Sequence, residues 1–155
     1  MFTFKDSNFY VNQVCVPYCR AAVGLEDGDV VDINLNARVL QGSSLDARKL
    51  TKSANGEYIV LGEHLNREVV IQTEHGYAIE DGHYPAGTHV RAYRLKNLVG
   101  VEFVTDRIAS ATVGKSYRYD GEKFVEGGSA SVWFKVISVD NGIATVVITD
   151  EQPAG

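Results

Sequence analysis

The tripeptide Asp140-Asn141-Gly142 stands between two runs of alternating residues, and it constrains this chain more than any other feature. Before it, Val132, Phe134, Val136 and Ser138 alternate with Trp133, Lys135, Ile137 and Val139. After it, Ile143, Thr145, Val147 and Thr149 alternate with Ala144, Val146, Ile148 and Asp150. Asn and Gly accept positive φ at low cost, so a two-residue turn between period-two segments rich in β-branched and aromatic residues specifies an antiparallel hairpin. Upstream, Val99, Val101 and Phe103 alternate with Gly100, Glu102 and Val104. Tyr117 and Tyr119 alternate with Arg118 and Asp120, and Asp120-Gly121 offers a second turn before Lys123-Phe124-Val125. Residues 98–150 therefore read as a strand-and-turn module that carries no catalytic residue pattern.

The rest of the chain fits the same class. Val31 to Leu40 alternates, with Val31, Ile33, Leu35, Ala37 and Val39 on one face and a wet face opposite. Tyr58–Leu61 and Glu68–Gln72 read as strands, with Asn55-Gly56 as a hairpin turn before the first. Pro85-Ala86-Gly87-Thr88 turns into a strand over His89–Leu95. One helical piece is expected, Leu45–Leu50 capped by Ser44. The expected fold is all-β: a small antiparallel β-sandwich or barrel with many hairpins and an aromatic N-terminal arm. Residues 1–20 form that arm, or an edge strand, and residues 21–155 a single β-rich domain. Phe2, Phe4, Phe9, Tyr10 and Tyr18 make the N-terminal segment aromatic and poorly periodic, which fits either a strand of the domain or an arm against a neighbour.

Charge and motif narrow the function. A net charge of −5 with no basic run argues against nucleic acid, and no apolar run reaches the ~18 residues of a membrane span. The N-terminus lacks the basic-then-apolar order of a secretion signal, which points to a cytoplasmic site of synthesis. Cys15 and Cys19 are read as two thiols. Asp27, Asp29 and Asp32 suggest a calcium loop, but the sixth and twelfth positions from Asp27 are Asp32 and Arg38, so a solvated turn is expected. His64, His75, His83 and His89 show no metal-ligand spacing, and only His83 and His89 could meet across a turn. Gly114-Lys115-Ser116 lacks the upstream glycine of a phosphate loop, since Ala109 stands there. No enzyme, metal or cofactor is expected. Tyr77, Tyr84, Tyr93, Tyr117, Tyr119 and Trp133 form either core or a binding surface. Tyr117 and Tyr119 share a face, so both are core or both are contact residues.

Residues 103–110 (FVTDRIAS), 113–117 (VGKSY) and 120–124 (DGEKF), with Trp133–Ile137 and the Pro85–Thr88 turn, resemble the capsid decoration (cement) proteins of tailed phages. The resemblance covers residues 76–149; residues 1–75 have no counterpart in it. It implies a structural virion protein, made in the host cytoplasm, that binds the major capsid protein on the outside of the shell and stabilises it at capsomer junctions. It also implies a homo-oligomer, with a trimer favoured. Family active-site residues do not carry over, because such proteins have none. The partner-binding residues expected on this reading are Phe2, Phe4, Phe9, Tyr10, Tyr18, Tyr117 and Tyr119. Alternative readings are a head-fibre or tail-adaptor component, or a β-module for carbohydrate or another small ligand built around Trp133 and the tyrosines.

Overall fold

The computed structural model describes residues 2–5, 19–39, 47–61, 69–73, 76–80, 83–88 and 90–153; at 35–39, 47–48, 69–73 and 76–80 the description is of the backbone. The fold is all-β, and among the described residues the one helical element is a 3-10 turn, Leu95–Leu98. The strands are β1 (Phe2–Phe4), β2 (Cys19–Ala21), β3 (Leu25–Glu26), β4 (Val30–Val39), β5 (Ala47–Lys52), β6 (Tyr58–Val60), β7 (Val69–Thr73) and β8 (Gly76–Glu80). They continue with β9 (His83–Tyr84), β10 (Ala92–Arg94), β11 (Glu102–Thr105), β12 (Ser116–Tyr119), β13 (Phe124–Val125), β14 (Trp133–Asp140) and β15 (Ile143–Thr149).

Two larger sheets organise them. One has six strands in the order β1-β11-β15-β14-β12-β13, and the other has five in the order β10-β6-β4-β5-β2. Two antiparallel pairs, β3 with β9 and β7 with β8, complete the set. The β14–β15 hairpin forms where the sequence places it: Asp140 faces Ile143, and Asn141 and Gly142 both take positive φ, 51° and 80°. Two positive-φ central residues make the turn whose twist matches a right-twisted ribbon. A bulge between Val136 and Ser138 shifts the alternation, so Ser138 is exposed rather than continuing the buried row of Phe134 and Val136.

The main core lies between the two large sheets. Phe103, Phe134, Val136, Val146 and Ile148 come from the six-stranded sheet; Val30, Ile59 and Tyr93 come from the five-stranded one. Val31, Val60 and Ala92, one residue along on the same three strands, belong to a second core with Leu25, Leu50 and Val90. Successive side chains on a strand face opposite ways, so the five-stranded sheet is buried on both sides where β4, β6 and β10 meet. The expected wet face survives further along β4, where Asp32 and Asn34 are exposed.

Several expectations change. The helix over Leu45–Leu50 does not form: Ala47–Lys52 is β5, paired antiparallel with β4, and Ser44 and Leu45 lie outside the described residues. Six residues with one weak cap gain less as a helix turn than from a full ladder on a long neighbour. β5 also pairs in parallel with β2, so the five-stranded sheet is mixed. Asn55-Gly56 is not a hairpin turn, because β5 and β6 flank β4 instead of pairing with each other. The strand expected from Val99 begins at Glu102, since Gly100 turns the chain at φ 87°. The strand expected over His89–Leu95 is confined to Ala92–Arg94.

The crossover from β5 to β6 passes tightly over β4. A Cβ on Gly56 would lie 2.6 Å from the Val31 carbonyl oxygen, a backbone atom that cannot swing away. Gly56→Ala is expected to destabilise the fold by about 1–3 kcal/mol through overpacking, read as a lower denaturation midpoint at unchanged m-value.

The N-terminal segment divides between the sheets, with β1 at the edge of one and β2 at the edge of the other. Phe2 and Phe4, expected as partner-binding residues, are fully buried in the main core of their own chain. Phe2 packs on Phe103, Phe124 and Phe134 with ring centroids 5.6–5.7 Å apart, and Phe4 packs on Phe103 at 4.9 Å and Tyr93 at 5.7 Å. Tyr117 and Tyr119, also expected as contact residues, are buried in the same core, so their shared face is core. Phe9, Tyr10 and Tyr18 lie outside the described residues.

Candidate functional site

The acidic turn before β4 is the densest polar feature between the sheets, and it is not solvated. Asp27 is 4% exposed and Asp29 is 0% exposed, which corrects the expectation of a wet turn. Gly28, at φ 93°, lets the chain double back so that its N–H donates to the Val60 carbonyl at 2.6 Å. Asp29 Oδ2 accepts from the Glu26 backbone N–H at 2.8 Å, an interaction that closes the turn on itself. A buried carboxylate demands cations and donors, and here the nearest cation comes from a loop of the other sheet.

Arg107, in the loop after β11, supplies the cation. Its Nη1 lies 2.9 Å from Asp29 Oδ1 and donates to the Asp27 carbonyl at 2.8 Å. Its Nη2 donates to the Glu122 carbonyl at 3.2 Å and lies 3.7 Å from Glu26 Oε2. The guanidinium carbon sits 5.4 Å from the centroid of Phe124, so the cation also rests on a ring. The planar fork of Arg reaches these acceptors at once, which a lysine ammonium could not do in the same geometry. Tyr119, on β12, donates to Asp29 Oδ1 at 3.0 Å, with the Gly121 carbonyl at 3.1 Å as its alternative acceptor. Tyr84, on β9, donates to Asp27 Oδ1 at 2.6 Å. Lys52 Nζ stands 4.0 Å from Asp29 Oδ2 and 3.3 Å from Glu122 Oε2. Residues of both large sheets and of the β3–β9 pair thus converge on one turn.

This constellation is built to hold, not to react. Asp29 meets three hydrogen-bond donors and a second cation, so its lone pairs are committed. Burial, followed by the charge of Asp29 and the hydrogen bond to it, holds the Tyr119 hydroxyl well above the ordinary tyrosine range. A tyrosine whose folded pKa lies above its unfolded value leaves stability intact below about pH 10, where both states are protonated. As pH rises further, the unfolded state ionises first, and stability falls until the folded pKa is passed. In an alkaline titration followed by tyrosinate absorbance, Tyr119 is expected to ionise only as the chain unfolds. In Tyr119→Phe that last, unfolding-coupled step should disappear.

A second feature is an open groove of 790 Å³ at one end of β12 and β14, lined by Lys115, Glu126, Gly128, Trp133, Lys135 and Gln152 among others. Lys115 and Glu126 pair across it at 3.2 Å. Arg118 donates to the Gly127 carbonyl and shapes the rim, and a Cβ on Gly128 would meet that guanidinium at 2.5 Å. Trp133 is 1% exposed, and its indole N–H donates to Gln152 Oε1 at 3.3 Å. Gln152 in turn donates to the Ala130 carbonyl at 3.0 Å, so its side chain bridges the indole and the strand's approach. The ring needed for stacking a sugar is therefore covered, and Tyr93, Tyr117 and Tyr119 are buried in the main core.

The other candidates are dispersed. His83 is exposed on β9, 4.0 Å from Glu26 Oε1; His64, His75 and His89 lie outside the described residues. Cys19 is buried on β2, and Cys15 lies outside the described residues. Tyr77 falls in β8, where only the backbone is described. Among the described residues, no three His, Cys, Asp or Glu side chains gather to hold a metal ion.

The sequence pattern reads Asp27 and Asp29 as a solvated turn and offers no local link between them and Arg107. One signal was available: Asp29 directly precedes Val30-Val31, an apolar pair heading a strand, where a carboxylate is drawn inward with its neighbours. No family model, no curated protein and no solved structure matches this chain.

Proposed function

We propose that this chain is a structural protein of a tailed-phage virion, attached to the outer surface of the capsid, where it stabilises the shell at capsomer junctions. The reading begins from the resemblance of residues 76–149 to capsid decoration proteins. The observation that carries it further is the distribution of exposed apolar side chains. Of six large exposed hydrophobics among the described residues, Ile137, Val139 and Ile143 belong to the β14–β15 hairpin. Val113, the most exposed at 60%, is held beside β14 by the hydrogen bond from Gly114 N–H to the Val136 carbonyl. On this reading the apolar residues exposed on and beside this hairpin are the ones that meet the shell. A small apolar contact repeated over a symmetric lattice accumulates a large total stabilisation through avidity.

The partner on this reading is the major capsid protein, and the copies assemble as trimers. Purified protein should co-sediment with expanded, undecorated heads of a tailed phage, and its mass in solution by light scattering should be three times that of one chain. Ile137→Asp combined with Ile143→Asp should lower head binding at least tenfold while leaving the circular dichroism spectrum unchanged. A monomer that leaves such heads in the supernatant contradicts the proposal.

A further inference from the structure

The six-stranded sheet takes five of its strands, β11 to β15, from residues 102–149, and its sixth from the opposite end of the chain. β1 is three residues long and pairs with β11 alone among the described strands. Residues 6–18 connect it to β2 in the other sheet; thirteen residues span at most ~45 Å when extended. The slot that β1 fills is specific: the β11 edge supplies the ladder, and the rings of Tyr93, Phe103, Phe124 and Phe134 form the walls. Phe2 and Phe4 enter as rings two residues apart on one strand face, and the half-exposed Lys5–Glu102 ion pair at 3.2 Å adds a contact at the rim. The slot therefore recognises an extended Phe-x-Phe-Lys segment by main-chain pairing and alternate pockets, the chemistry of strand addition.

Every copy of the chain carries both the slot and the segment. We propose that β1 is exchangeable between copies: the slot of one chain takes Phe2–Phe4 of a second chain, giving a strand-exchanged oligomer. Exchange preserves each β1–β11 contact, and swapping an identical element between copies is a low-cost route to assembly. The balance between closed and exchanged forms then follows the concentration of chains, set against an intramolecular effective concentration of roughly mM order. This inference rests on the fold alone and stands or falls independently of the virion reading.

Thr3 and Val104 lie directly opposite each other, and cross-strand pairs stand ~4.5–5.5 Å apart, within disulfide reach. Single variants Thr3→Cys and Val104→Cys are mixed at about 1 mM, cycled through partial unfolding and back, oxidised, and mapped by mass spectrometry of linked peptides. Peptide mapping separates the new link from any made by Cys15 or Cys19. The expected result is a link between position 3 of one chain and position 104 of another, at least tenfold weaker when the cycle is run at a thousandfold lower concentration. The double variant, Thr3→Cys with Val104→Cys, closes within one chain and shows that the geometry is competent. No cross-chain link at high concentration, with the double variant closing fully, overturns the proposal. The unmodified protein gives a second reading: after the same cycle, an oligomer that persists on dilution supports exchange, and a monomer throughout overturns it.

Discussion

Arg107→Ala is expected to destabilise the protein by about 3–5 kcal/mol, the cost of leaving a buried carboxylate without its cation. Asp29 is fully buried, and Arg107 meets it at 2.9 Å while also donating to the carbonyls of Asp27 and Glu122. Removing the guanidinium strips donors from three acceptors on two loops and opens the ring face of Phe124. A loss of this size is a large part of the ~5–15 kcal/mol that holds a typical domain. Arg107→Lys should recover only part of it, because an ammonium cannot reach all three acceptors from one position. The pairing is tested by a double-mutant cycle in urea: Asp29→Ala with Arg107→Ala should cost clearly less than the sum of the single variants. Strict additivity would mean that the two residues stabilise the fold separately.

Phe2→Ala and Phe4→Ala should each cost about 3–5 kcal/mol, as expected for emptying a buried aromatic site. Among the described residues Phe2 packs on three other rings and Phe4 on two, and neither is exposed. Stability effects this large at the second and fourth residues of a chain distinguish a core strand from a docking arm. If these residues served only a partner, the isolated protein would lose less than about 0.5 kcal/mol on truncation, as surface substitutions do. Equilibrium unfolding of each variant decides between the two outcomes.

Local pattern made the strands legible and left their neighbours hidden. The alternation of Trp133–Asp140 with Ile143–Thr149 around Asn141-Gly142 needs nothing outside itself, and that hairpin stands as read. Strand order is another matter. Asn55-Gly56 has the composition of a hairpin turn, yet β4 lies between the strands it joins, because pairing is decided by burial on both faces of β4. Leu45–Leu50 carries a weak helical pattern locally, and its described part pairs as a strand because β4 offers a ladder. The candidate site was least legible of all. Asp29 is buried only because Arg107 and Tyr119, 78 and 90 residues later, bring a cation and a donor to it. The same distance hid the role of Phe2 and Phe4, whose strand partner, β11, begins near residue 102.

The Asp29–Arg107–Tyr119 contacts and the shared aromatic core join the two sheets into one cooperative unit. Trp133 lies in the six-stranded sheet and is the chain's single tryptophan, so its fluorescence reports that sheet alone. Far-ultraviolet circular dichroism reports the strands of both. Followed together through a urea titration of the unmodified protein, the two signals should share one midpoint and one slope. Two separated transitions would contradict the account and show that the sheets unfold independently.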